Sequence, residues 1–288
     1  MSYVRWDSRP QLRRPVLVAA FEGWNDAGEA ATTALRWLHA ATDAREFASV
    51  DPEEFYDFTV ARPNVKLDAG MTRRIEWPAP TFSAATIEGG SRDVIFLVGI
   101  EPALKWRSFT ESVLSVADAL DVEMVFTMGA LLADVPHTRP VRITGTATDP
   151  EIISRLGFTR SRYEGPTGIL GVLMDACAHR GLKSASLWAT TPHYLRETAS
   201  PKAALALVER LNELIELRLD TTDLEIASAA YERQVNDMLE GEDDVVDYVR
   251  RLEEDDEDDA DEEPFEIPST DQLAEEVERF LRDQRGNS

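Results

Sequence analysis

The sequence predicts an α/β body built on a mixed sheet, followed by a helical carboxyl-terminal extension. Three observations carry this. From Arg14 to about Ala199 short apolar runs alternate with helical stretches, as in parallel-rich α/β proteins. Between Glu53 and Trp77 the pattern changes to short hairpin-like pieces. Ser200-Pro201 then opens a region of purely helical spacing that gives way to unbroken acid. A single core usually takes about 100–200 residues. The 288 residues therefore divide into a body (1–199), a helical hairpin (200–250), an acidic linker expected to be disordered (251–268) and a short amphipathic helix and tail (269–288).

The first strand is Val16-Leu-Val-Ala-Ala-Phe21, a continuous apolar run between Pro15 and Gly23 that suits a central strand covered on both faces. It runs into Glu22-Gly-Trp-Asn-Asp-Ala-Gly28 and then an Ala-rich helix over Ala27 to Ala40. Phe55-Tyr-Asp-Phe-Thr59, Lys66-Leu67 and Arg74–Trp77, with Asp68-Ala-Gly70 as a turn, read as a hairpin and an antiparallel addition to the sheet. Asp93–Ile100 is a core strand, Trp106–Leu120 a helix, Glu123–Met128 and Ser184–Ala189 further strands. After Ser200 as N-cap and Pro201 at the first helical position, Ala204, Leu205, Leu207, Val208, Leu211, Leu214 and Ile215 share a helical face. Thr222-Asp-Leu-Glu225 has the capping-box pattern, and the helix after it carries Leu224, Ile226, Ala227, Ala230, Tyr231, Val235 and Met238. This αα-hairpin must cover apolar surface on the body or on another subunit.

The net charge of −24 is concentrated at the end. From Gly241 onward there are 20 acidic and 5 basic residues, a net of −15, which leaves −9 for the rest. Ten of the eleven residues Glu253–Glu263 are acidic, a density that predicts disorder or an over-extended helix end. Beyond them Leu273, Val277, Phe280 and Leu281 would share one helical face that needs a partner, either the body or another protein. Such a surface repels phosphate backbones, and no basic stripe with interleaved aromatics offsets it, so nucleic acid is excluded as a partner. The apolar runs are far shorter than the ~20 residues that span a bilayer, no leader pattern opens the chain, and the single Cys177 rules out an intrachain disulfide. A cytoplasmic protein without a membrane partner is expected. Cys177 lies in a helical run, where a buried inert thiol is the simpler reading than a nucleophile.

Candidate functional residues gather at strand ends, where α/β proteins place their chemistry. Asn25 and Asp26 follow the first strand, either as base or ligand or, more simply, as caps for the next helix. Glu101, in Gly99-Ile-Glu-Pro102, ends another strand, and a pair of carboxylates there could do acid–base work. Trp24 and Trp106 either line an apolar wall at that rim or anchor the core. Gly129-Ala-Leu-Leu-Ala-Asp-Val-Pro-His-Thr-Arg-Pro140 places Asp134, His137 and Arg139 in one loop. No Gly-x-Ser-x-Gly elbow accompanies them, and a loop stiffened by Pro136 and Pro140 is the plainer reading. Ser161–Gly171, with Tyr163, Glu164, Thr167 and Gly168, has backbone amides that could bind an anion, or glycines that let helices approach. It is neither a Walker A loop nor a dinucleotide fingerprint. Thr190-Thr-Pro-His-Tyr194 adds His193 and Tyr194 to the same rim. No metal-ligand spacing is present, no cofactor is implied and no catalytic residue is assigned.

Taken in order, Phe21-Glu-Gly-Trp-Asn-Asp-Ala-Gly28, Gly129–Pro140, Tyr163-Glu-Gly-Pro-Thr-Gly168 and Pro192-His-Tyr194 resemble the actinobacterial branch of the proteasome assembly chaperone 2 family. The resemblance spans roughly Pro15 to Leu217. It implies a three-layer α/β/α sandwich of phosphorylase/hydrolase-like type with a helical carboxyl-terminal extension, self-association as a homotrimer, and binding of proteasome core subunits in the manner of an assembly chaperone. This chain departs from the hydrophobic-Tyr-X tail by which some eukaryotic relatives dock, because it ends Gly286-Asn-Ser288. The alternative is a small-molecule-binding protein or enzyme, hydrolase-like or amine–carboxylate ligase-like, with the candidate residues converging on one pocket at the strand carboxyl ends.

Overall fold

The computed structural model describes residues 3–68, 72–147, 153, 163–241 and 243–259, with side chains described to residue 254. In chain order the elements are β1 (Val4–Trp6), β2 (Val16–Glu22), α1 (Ala30–Ala41), β3 (Arg45–Val50), β4 (Asn64–Asp68), β5 (Thr72–Glu76), β6 (Thr81–Ala85) and β7 (Val94–Ile100). They continue with α2 (Trp106–Ala119), β8 (Met124–Ala133), β9 (Ile143–Ala147), α3 (Ile169–Arg180), β10 (Lys183–Pro192), α4 (Pro201–Ile215), α5 (Thr222–Leu239) and α6 (Asp243–Asp259).

Eight strands form one mixed sheet in the order β1-β3-β6-β7-β2-β8-β10-β9. Its middle is the parallel set β7-β2-β8-β10, and the outer pairings are antiparallel. The alternation of a strand explains the three layers. Val16, Val18 and Ala20 point from β2 into a core shared with α1 and α4, whereas Leu17, Ala19 and Phe21 point into a core shared with α2 and α3. Both faces of β2 are sealed, which is why its sequence is apolar without a break.

The helix over Pro201–Ile215 belongs to one of these layers. Ala203, Ala204, Leu207, Val208 and Leu211 of α4 are fully buried in the core they share with α1 and the sheet. Ser200 caps it as its type predicts, its hydroxyl oxygen accepting from the Ala203 amide at 3.3 Å, with Pro201 in the first turn. The capping box expected at Thr222 is not formed. Thr222 is itself the first helical residue, and its amide and hydroxyl donate to the Asp220 carboxylate at 3.0 and 2.6 Å. On α5 the buried side is Leu224, Ser228, Tyr231 and Val235, while Ile226 and Met238, expected on the apolar face, are exposed.

Hairpin β4–β5 forms a two-stranded sheet of its own, so the expected antiparallel additions come instead from β1, β3, β6 and β9. Phe55 and Tyr56, read as part of a hairpin, are buried beside the second core. Residues 251–259, at the start of the acidic stretch expected as disordered linker or an over-extended helix end, lie in α6, the second of these. The remainder of the linker, 260–268, and the terminal segment with Leu273, Val277, Phe280 and Leu281 fall outside the described residues, as do Ser161 and Arg162. Among the described residues no helix is long and apolar enough to cross a membrane.

Candidate functional site

The strand order opens one gap at the carboxyl edge. Strand β2 pairs with β8 only as far as Ala19 opposite Thr127, then stays with β7 to Glu22 while β8 runs on beside β10 to Ala133. The chain after β2 turns through this gap and is stitched to β8 by the Ala130 amide, which donates to the Asn25 carbonyl at 2.8 Å. Asn25 is buried, and its side-chain amide donates to Glu101 Oε1 at 2.8 Å. The same oxygen accepts the backbone amide of Ile169, the first residue of α3, at 2.8 Å. The Glu101 carboxylate therefore fills the position at a helix N-terminus where a bound anion would sit. Gly168 is required by this close approach, since a Cβ there would lie 2.2 Å from Asn25 Nδ2.

Asp26 fills the corresponding place on α1. Its Oδ1 accepts the amides of Ala31 and Thr32 at 2.7 and 3.2 Å, and its other oxygen accepts the Thr32 hydroxyl. Burial raises the Asp26 carboxyl above its ordinary value, and the bonds from Thr32 and Ala31 with the charge of Arg36 only partly draw it back. The capping reading of Asp26 describes these contacts. Gly28, at φ +58°, carries the chain between cap and helix in a left-handed turn that disfavours any side chain, and its carbonyl accepts from Ser200 N–H at 2.8 Å. The start of α4 is thereby tied to the end of β2.

The other candidates named for this rim make local contacts or face solvent. Trp24 is 64% exposed, so it is no core anchor, while Trp106 is half-buried with its indole N–H donating to the Pro102 carbonyl. Tyr163 donates its hydroxyl to the Pro166 carbonyl at 2.8 Å, and Glu164 and Thr167 are exposed.

The loop after β8 builds a second group. His137 is buried; its backbone amide donates to the Tyr194 hydroxyl at 2.9 Å, its Nδ1 lies 2.8 Å from the same hydroxyl, and its Nε2 lies 3.0 Å from Asn236 Oδ1. Both ring nitrogens are thus engaged, Nδ1 by the Tyr194 hydroxyl, whose oxygen also accepts the His137 amide, and Nε2 by the Asn236 carbonyl oxygen. Burial pushes the Tyr194 hydroxyl up to about 12, so it stays a proton donor. Lys202 donates to the His137 carbonyl at 2.7 Å and pairs with Glu232. Asp134 accepts from Tyr248 at 2.8 Å and lies 3.2 Å from His193. Arg139 lines, with Arg142, Lys202 and Tyr231, a cavity of about 20 Å³, room for about one water.

The predicted residues thus divide between two places. Asn25, Asp26, Glu101 and Gly168 meet at the β2–β8 gap, and Asp134, His137, Arg139, His193 and Tyr194 brace the loop after β8 against α5 and α6. Sequence reasoning placed anion-binding amides in Ser161–Gly171, where the Ile169 amide meets the Glu101 carboxylate, but missed Lys202, Asn236 and Tyr248, which arrive from helices remote in the chain. One local signal existed for Lys202. A cation in the first turn of a helix is unfavourable there and calls for a specific partner. Cys177 is buried, and burial pushes its thiol up to about 12, as an inert core residue requires. Among the described residues no three His, Cys, Asp or Glu side chains gather as metal donors.

The model of the PAC2 family matches residues 20–239. A PAC2 family protein from Streptomyces avermitilis is 44% identical, with 82% of this chain and 99% of that one covered at a TM-score of 0.75. A Mycobacterium tuberculosis proteasome-assembly chaperone homologue is 40% identical, with 81% and 99% covered at a TM-score of 0.74. Another Mycobacterium tuberculosis protein, described as of unknown function, is 30% identical over 90% of this chain and 92% of its own, at a TM-score of 0.81. No curated protein matches the chain.

Proposed function

The chain belongs to the PAC2 family, and from that premise we propose that it works by binding another protein, as a chaperone-like cytoplasmic homo-oligomer, a trimer, whose client is the proteasome core. The observation that carries the reading is the filling of the carboxyl edge. The chain's own carboxylates, Asp26 and Glu101, occupy the N-termini of α1 and α3, the places where an α/β enzyme of this layout would hold an anionic substrate. The imidazole of His137 spends both nitrogens on neighbours. What the surface offers instead is large apolar side chains, Trp24, Leu104 and Trp77 among them, of the kind that anchor protein contacts.

The client is tested by affinity capture of the full-length protein from its native cytoplasm, paired with a metabolite screen of wild type and His137→Ala. Recovery of proteasome core subunits, with no turnover in either protein, is the expected result. Absence of those subunits, together with a metabolite whose turnover is lost in His137→Ala, overturns the reading in favour of an enzyme.

A further inference from the structure

Two surfaces complement each other, and from them we infer that copies of this protein join head to tail, the β4–β5 hairpin of one seated in the groove between α5 and α6 of the next. The inference rests on the self-association proposed above and assigns its contact.

The register Val65 opposite Ile75 and Leu67 opposite Arg73 sets these four side chains on one face of the hairpin, and the period of two adds Trp77. Val65, Leu67, Ile75 and Trp77 are 51–63% exposed. The opposite face is polar, with Glu76 paired to Lys66 and Arg74 at 2.7 and 2.8 Å. A lone two-stranded hairpin is marginal in water, so a face this apolar asks for cover. The segment 62–76 also carries four cations, Arg62, Lys66, Arg73 and Arg74, against Asp68 and Glu76, a positive patch in a chain of net charge −24. Its occupant is therefore both apolar and acidic.

The groove has those properties. It measures about 430 Å³, room for side chains of the size of Ile75 and Trp77, and its lining has Leu239, Val246 and Val249 as apolar residues, Glu240 and Glu253 as carboxylates and one cation, Arg250, which is paired with Asp247 at 2.6 Å. Val246 of this lining is about half exposed, and the same two helices carry the exposed Asp237 and Asp244. Because the two patches differ, the contact is heterologous, and its repetition gives a ring where the rotation closes, as the proposed trimer requires, rather than a two-fold dimer. Opposite charge at the rims steers the approach and rejects the like-charged alternatives, hairpin on hairpin and groove on groove.

Light scattering after chromatography of full-length wild type, Ile75→Asp and Val246→Asp tests this, with circular dichroism to verify folding; both substituted positions are exposed enough to spare the core. Wild type is expected to be an oligomer and each variant a monomer of 32.2 kDa. An equimolar mixture of the two variants retains one intact hairpin and one intact groove, so it should give a species of twice the monomer mass and no ring. A wild-type monomer overturns the self-association itself. An oligomeric wild type whose variants keep its mass, or folded variants that stay monomeric on mixing, overturns the hairpin–groove contact alone and leaves the groove to another occupant, such as the carboxyl-terminal segment or a client.

Discussion

Asp26 answers two opposing demands, since its carboxylate closes the amides of Ala31 and Thr32 at the head of α1 but is buried while doing so. Asp26→Ala leaves those buried donors without an acceptor and should cost about 2 kcal/mol. Asp26→Asn keeps the carbonyl oxygen, and its amide can donate to the Thr32 oxygen, so the expected cost is below about 1 kcal/mol. The pH dependence has a definite sign. The folded carboxyl is raised above its unfolded value, so the ionised folded state is disfavoured. Stability is lost as pH rises from about 4 through the folded value, and regained as pH falls back. The urea midpoint of wild type should therefore fall relative to that of Asp26→Asn as pH rises above about 4. A constant difference across that range would contradict a raised carboxyl.

Helix α4 illustrates what an element owes to its layer. Leu207 is fully buried between α1 and the sheet, so Leu207→Ala should cost about 2–5 kcal/mol, whereas Ile226→Ala on the exposed side of α5 should change stability by less than about 0.5 kcal/mol. Denaturant titration separates the two, and equal losses would mean that Ile226 is covered in solution. The same contrast explains which elements were legible in sequence. Strands β2 and β7 are sealed on both faces and read as unbroken apolar runs. The edge and outer strands do not, because Arg45-Glu-Phe-Ala-Ser-Val50 and Ile143-Thr-Gly-Thr-Ala147 mix polar and apolar residues and become strands only when a neighbour supplies the ladder. At the site, the capping role of Asp26 was legible because it acts within six residues. The separation of His137 from Glu101 was not, since strand order and the partners on α5 and α6 decide which loops meet.

At the scale of the whole molecule, charge opposes compactness. A net −24, with −15 after residue 240, makes the folded state repel itself, and few of its surface ion pairs are sheltered enough to offset this. Raising the salt concentration should therefore stabilise the protein, by about 1 kcal/mol or roughly 2–4 °C in melting temperature. A melting temperature that falls with salt would mean that the ion pairs outweigh the repulsion. The packing of α1 against α4 has a further consequence, for synthesis on the ribosome. The apolar face of α1, complete at Ala41, meets α4 only after residue 201 has been added. At translation rates of about 5–20 residues per second that face waits roughly 10–30 s for its cover. A nascent chain of this protein thus passes through an interval in which an apolar helix face depends on the shelter of other proteins.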